Sequence, residues 1–259
     1  MKQSFNLLLI LLLGVQFLSS QVIKEFPIAV GSEAASALSA AFDGTNYLVP
    51  IQGDDNSEYA LTAQFISKAG ELSGNRIDLN AYGPVAPIAI FDGTNYLLVW
   101  VDAEHHLYAR FLSPSGQWQG NAILIASDVI FDLRPFNVSY SDTNFLVAYV
   151  KSDFGLYGQL LDKSGNLIGS SFFINNFGIT DPQDEGSKEF NMAFDGTNYL
   201  IVWFKHSENE NHSILGQFVG KNGTLVGNAF TIDPPSPDHN PVSLIFDGNK
   251  YVISYDICF

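Results

Sequence analysis

One cysteine, Cys258, is present in 259 residues, so no intrachain disulfide is available to staple the fold. Stability must come from packing, and this penultimate residue is expected to be a buried, inert strand thiol. Basic residues are scarce as well. Twelve lysines and arginines face twenty-seven acids, a net charge of −15, and the arginines are Arg76, Arg110 and Arg134 alone. That balance argues against nucleic acid or an anionic membrane as partner. There is no Gly-x-Ser-x-Gly elbow, no P-loop and no dinucleotide fingerprint, and no cofactor is implied. Sustained helical periodicity is missing beyond the N-terminal segment.

The one long apolar run is at the start. Lys2 is the sole charge before Phe5–Leu18, and Leu18-Ser19-Ser20 offers a small residue for cleavage. The run is too short for a spanning helix and reads as a secretory signal peptide over residues 1–21. No cysteine follows it, which argues against a lipid anchor. The mature chain, residues 22–259, is expected to be a soluble monomer, secreted or periplasmic. Loss of Lys2 takes its net charge from −15 to −16.

What the chain does have is one phrase written five times. Phe-Asp-Gly-Thr-Asn-Tyr stands verbatim at Phe42–Tyr47, Phe91–Tyr96 and Phe194–Tyr199, with worn copies at Tyr140–Phe145 and Phe246–Tyr251. Successive starts are 49, 49, 54 and 52 residues apart, the spacing of a repeat architecture. In the second copy, Pro87–Phe91 reads as strand a, Asp92–Asn95 as a hairpin turn and Tyr96–Val101 as strand b. A tip at Asp102–His105 leads to strand c, His106–Leu112, and a second turn leads to strand d, Ala122–Ile125. The aromatics flanking the first turn are placed to hold its register. The second turn recurs elsewhere as Gly-x-Leu-x-Gly, at Gly70–Gly74, Gly165–Gly169 and Gly223–Gly227.

Strand b is apolar on both faces, so it must be covered on both sides. Burying six such side chains contributes roughly 10 kcal/mol. Ordering about 50 residues costs several times that, at ~1–2 kcal/mol per residue for backbone alone. A lone unit therefore cannot fold, whereas stacked units can. The fold class expected is all-β, a β-propeller of four-stranded blades of about 50 residues. A parallel β-helix needs a shorter repeat and an immunoglobulin-like sandwich about 100 residues per domain. The repeats cover approximately residues 31–80, 81–126, 127–176, 177–233 and a partial 234–259. Val22–Ile28 resembles the strand d segment Val226–Ile232, so five blades are expected, with residues 22–30 as a latch strand completing the last.

The meander sends the Asp-Gly-Thr-Asn and Gly-x-Leu-x-Gly turns to one end of the blades. The b–c tips and d–a crossings go to the other, where the copies differ most. Loops free to vary on a fixed scaffold are where binding resides. The candidate ligand-binding residues there are Asp102, Glu104, His105, Asp184, Lys205, His206, Asp238 and His239. Glu104, His105 and His106 do not make a metal site, because neighbouring strand residues point to opposite faces. Asp-Gly-Thr supplies too few carboxylates for calcium.

Function reads first as a secreted, non-enzymatic binding or scaffold protein that engages a protein or glycan. One alternative is a glycan-active hydrolase using Glu33, Asp132, Glu189 or Asp238 at the central channel. Another is a lectin with one pocket per blade, lined by Trp100, Tyr149, Trp203 and Tyr255. The pattern Phe-Asp-Gly-x-Asn-Tyr-Leu-Val-Val-Trp with its later Gly-x-Leu-x-Gly resembles repeats of secreted bacterial β-propeller-like proteins of unassigned function. That resemblance implies the fold and an exported location, and carries no activity.

Overall fold

The computed structural model describes residues 37, 39–53, 59–83, 87–130, 135–177, 190–205, 212–236 and 243–255. The expected signal peptide (residues 1–21), the expected latch strand (22–30) and Cys258 lie outside them. The first sheet is β1 (Ala41–Phe42), β2 (Asn46–Gln52), β3 (Ala60–Ser67) and β4 (Leu72–Tyr82). The second is β5 (Ile88–Phe91), β6 (Tyr96–Val101), β7 (Leu107–Leu112) and β8 (Trp118–Ala126). The third is β9 (Phe136–Tyr140), β10 (Asn144–Val150), β11 (Gly155–Asp162) and β12 (Leu167–Asn176). The fourth is β13 (Phe190–Phe194), β14 (Asn198–Lys205), β15 (His212–Gly220) and β16 (Leu225–Ser236). A hairpin, β17 (Ser243–Phe246) and β18 (Tyr251–Ser254), makes the fifth. Each is an antiparallel meander in chain order.

The repeated phrase forms the first hairpin of every sheet. Asp43 Oδ1 accepts the Thr45 and Asn46 N–H groups at 2.6 and 2.7 Å. Asp92, Asp195 and Asp247 make the same pair of bonds. Gly44 sits at φ +97°, which a side chain would resist. In the worn third copy Asp142 takes that place at φ +70°, and the hairpin survives. The flanking aromatics pair in register, with ring centroids from 4.5 Å (Phe42–Tyr47) to 5.1 Å (Phe246–Tyr251).

Successive sheets stack through one type of seam. The tyrosine face of strand b packs on the leucine face of the preceding sheet. Tyr96, Leu98 and Trp100 thus share a cluster with Leu48, Leu61 and Phe65. Leu97, Val99 and Val101 meet Phe145, Val147 and Tyr149. Leu146, Ala148 and Val150 meet Tyr199, Ile201 and Trp203, and Leu200, Val202 and Phe204 meet Tyr251 and Ile253. Three seams are pinned by a tyrosine hydroxyl. Tyr96 donates to the Asn46 carbonyl, Tyr199 to that of Asn144 and Tyr251 to that of Asn198, each at 3.2 Å. The phrase is therefore a socket for the next sheet as well as a turn.

Two strand assignments differ from the sequence reading. Gly-x-Leu-x-Gly is not wholly a turn: the outer strands begin at its leucine position, Leu72, Leu167 and Leu225. The second glycine sits in the strand as a bulge, at φ +70°, +66° and +67° in Gly74, Gly169 and Gly227, beside register shifts in each pairing. A buried glutamine holds this bulge: Gln64, Gln159 and Gln217 each donate to backbone carbonyls on both sides of it. In the second sheet Arg110 does this work, its Nε donating to Gly120 O at 3.0 Å. The other difference is at strand c, which starts at Leu107 because Asp102 Oδ1 captures the His106 N–H at 2.8 Å.

Candidate functional site

The b–c tip of the second sheet is built around Asp102. Its Oδ1 accepts the N–H groups of Glu104 (3.0 Å) and His106, and its Oδ2 lies 3.3 Å from His106 Nδ1. Asp102 is thereby committed to the turn. His105 adopts φ +67° and reaches sideways, Nδ1 against Val129 O at 2.8 Å, while Val129 N donates back to His105 O at 3.0 Å. That exchange ties the tip to the crossing between sheets two and three. Ala103, Glu104 and His105 of this tip are exposed.

Two clefts flank Glu104. One, of about 530 Å³, is lined by Glu104, His105, Asp128, Ile130 and Ser152. Its polar groups are largely satisfied internally, Ser152 Oγ donating to Asp128 Oδ2 at 2.7 Å. The other, of about 390 Å³, lies between the first and second sheets. Asn80 and Tyr82 from the end of β4 form one wall, Trp100 and Tyr108 the floor, and Asp102 and Glu104 the rim. Trp100 is only 4% exposed and stacks on Tyr108 at 6.0 Å. Tyr82 is 62% exposed, the most accessible of the large apolar side chains described. Its position follows from β4 running on past the buried Leu79 to Tyr82.

The third sheet provides an internal control. Aligning the tips sets Asp153 against Glu104 and Tyr157 against Tyr108, with Phe154 at φ +58° where His105 is at +67°. There Tyr157 donates to Asp153 Oδ2 at 2.7 Å, and Asp153 Oδ1 accepts Gly155 N–H. The Asp153 carboxylate beside it pushes the Tyr157 phenol upward, with burial adding to the effect. In the second sheet the acid and the phenol are both present, yet among the described residues neither side chain has a hydrogen-bonding partner. They face the cleft instead.

The remaining expected residues are spread out. Lys205 ends β14 and is exposed. Asp184, His206, Asp238 and His239 fall outside the described residues, as do the channel carboxylates Glu33, Asp132, Glu189 and Asp238. Trp203 and Tyr149 are 0% and 1% exposed, which makes them core rather than pocket. Arg110 clamps its bulge and lies over Trp118 at 4.7 Å. Among the described residues no three His, Cys, Asp or Glu side chains group to hold a metal ion, and no helix is long and apolar enough to cross a membrane. Asn80, Tyr82 and Tyr108 are not among the candidates read from sequence.

No family model and no curated protein matches this sequence. Solved structures do. The β-propeller domain of the Trilobed protease from Pyrococcus furiosus superposes with a TM-score of 0.54 at 11% identity, over 86% of this chain and 64% of its own. The SapL1 lectin, solved in complex with alpha methyl fucoside, gives 0.54 at 13% identity over 89% of this chain and 74% of its own. A xylan beta-1,4-xylosidase from Bacillus halodurans C-125 gives 0.51 at 12% identity, over 84% and 48%. This chain thus spans less than two-thirds of the protease propeller and of the xylosidase. At such identities the likeness is one of fold, and the fold is all-β and propeller-like.

Proposed function

We propose that this is an exported, non-enzymatic propeller that binds a neutral sugar residue in the cleft between its first and second sheets. The observation that carries the reading is the pair Glu104 and Tyr108, unpartnered at a cleft where their counterparts Asp153 and Tyr157 bond each other. A pyranose presents an apolar face and a rim of hydroxyls. Tyr82 and Tyr108 supply aromatic surface for the first, and Glu104 and Asn80 supply acceptors and a donor for the second. A volume of about 390 Å³ lies within the usual range of small-ligand sites. Carboxylates at the rim and a net charge of −15 disfavour sulfated or uronic sugars. The propeller fold is compatible with this use, since a lectin is among the structures it superposes on. Export rests on the N-terminal segment.

The test is a glycan array probed with the labelled mature chain. Binding to a defined set of neutral glycans is expected, lost in Tyr82→Ala and weakened at least about tenfold in Glu104→Gln, the scale of one charged hydrogen bond. An array without signal, or variants that bind like the wild type, would remove the proposal.

A further inference from the structure

The two clefts beside the second tip share a wall. Glu104 lines both, and the tip that carries it is anchored sideways by the paired bonds between His105 and Val129. A ligand that fills the aromatic cleft and reaches Glu104 therefore meets the second cleft, of about 530 Å³, on the far side of the same residue. The anchoring keeps the spacing between the clefts fixed, so little protein freedom is lost when one ligand occupies both.

The second cleft is the counterpart of the first, one seam on, with a different wall. Gly83 N–H donates to the Tyr59 carbonyl at 2.9 Å, and Val129 N–H to the His105 carbonyl at 3.0 Å. The residue before each is thus one position of the repeat, Tyr82 at the first seam and Asp128 at the second. Asp128 takes φ +66°, a conformation that Asp and Asn tolerate better than most residues. Ser152 of the third sheet fixes it, its N–H donating to Asp128 O at 3.2 Å and its Oγ to Oδ2 at 2.7 Å. The bond that satisfies Ser152 so holds an exposed carboxylate at the cleft, and among the described residues Oδ1 has no hydrogen-bonding partner. Half-buried Ile130 adds an apolar patch. The lining carries acceptors and neither lysine nor arginine, which suits donation from sugar hydroxyls. Glu104, His105 and Asp128 do not group to hold a metal ion.

We propose that this second cleft is an extension subsite and that the ligand is a linear, neutral oligosaccharide laid across the Glu104 tip. The inference rests on the first cleft being the sugar site. One sugar residue packs on Tyr82 and Tyr108, and Glu104 receives hydroxyls at the shared wall. The chain continues into the second cleft, where a further residue donates to Asp128 Oδ1 and packs on Ile130. The run stops there, because at the next tip Asp153 is spent on the Tyr157 hydroxyl and the Gly155 N–H. The two clefts are not copies of one site. The first alone has an aromatic wall, so the second adds affinity only to a ligand already held in the first.

Isothermal titration of the mature chain tests this, with glucose, galactose, mannose and xylose set against their linear oligosaccharides of increasing length. One ligand per chain is expected. In the series that binds, affinity should rise about tenfold from the monosaccharide to the di- or trisaccharide, the scale of one charged hydrogen bond, and then stay level. Asp128→Asn keeps an acceptor for Ser152 and tolerates the positive φ, so the fold should hold while the gain with length falls to about twofold or less. Ser152→Ala, which loosens Asp128, should also reduce it. Lys68, over Phe42 at 5.1 Å at the uniform end, is the control, and Lys68→Glu should keep the full gain. A monosaccharide bound as tightly as its oligosaccharides would overturn the subsite and leave the first cleft standing as a sugar site. A full gain retained in both Asp128→Asn and Ser152→Ala would overturn it too, as would two monosaccharides bound per chain. No binding in any series would remove both readings.

Discussion

Asp92 shows what the seam tyrosine is for. Facing sheet three it meets Phe145, not tyrosine, and its buried Oδ2 has no hydrogen-bonding partner; Lys163 Nζ lies 3.8 Å away. At the first seam Asp43 has the Tyr96 hydroxyl beside it. Burial works to raise the Asp43 carboxyl, yet the Asn46 and Thr45 N–H groups and that hydroxyl hold it below its ordinary value. Replacing Phe145→Tyr should therefore stabilise the protein by about 1 kcal/mol, the usual net worth of a hydrogen bond, read as a higher denaturant midpoint. A lower midpoint would mean that Lys163 already fills the socket. The tyrosines also set an alkaline limit. Burial pushes the phenols of Tyr96, Tyr199 and Tyr251 well above the ordinary range, with Asp43 and Asp195 adding to it at Tyr96 and Tyr251. A raised folded value favours the protonated form, so the stabilisation is complete below the unfolded phenol value of about 10 and is lost as pH rises past it. Thermal melts should fall above that pH, less steeply in Tyr96→Phe; parallel curves would show that this hydroxyl does not titrate with unfolding.

The elements were largely legible before the structure, because their signals are local. Asp, Gly and flanking aromatics specify a hairpin within six residues, and an unbroken apolar run specifies which strand is covered on both faces. The bulge was not legible as such. Gly74, Gly169 and Gly227 look like turn glycines until Gln64, Gln159 and Gln217, ten residues earlier, are seen to hold their carbonyls. Such a glutamine is nearly fully buried (Gln159 is 3% exposed), and losing it leaves carbonyls without a donor. Gln159→Leu should cost about 1–3 kcal/mol by calorimetry. Arg110→Gln, which installs the other sheets' clamp, should cost much less. Equal losses would show that the clamp is incidental.

For the molecule as a whole, the two ends of the sheets divide the labour. The uniform end holds the turns that join sheet to sheet, and the variable end holds a tip left chemically unfinished. Variation among the tips pointed to that end from sequence, and Glu104 with it. Asn80, Tyr82 and Tyr108 stayed hidden, for a physical reason. Whether an acid and a phenol are spent on each other, as Asp153 and Tyr157 are, depends on a contact across a hairpin that spacing alone does not reveal. Asp102 erred in the other direction, an exposed-looking acid that is consumed by its own turn. The most direct test of this division is calorimetric titration of a neutral glycan selected on the array into Tyr82→Ala and Lys68→Glu in parallel. The account predicts that the first loses binding while keeping its melting temperature, and that the second binds like the wild type. Binding that survives in Tyr82→Ala and fails in Lys68→Glu would contradict it.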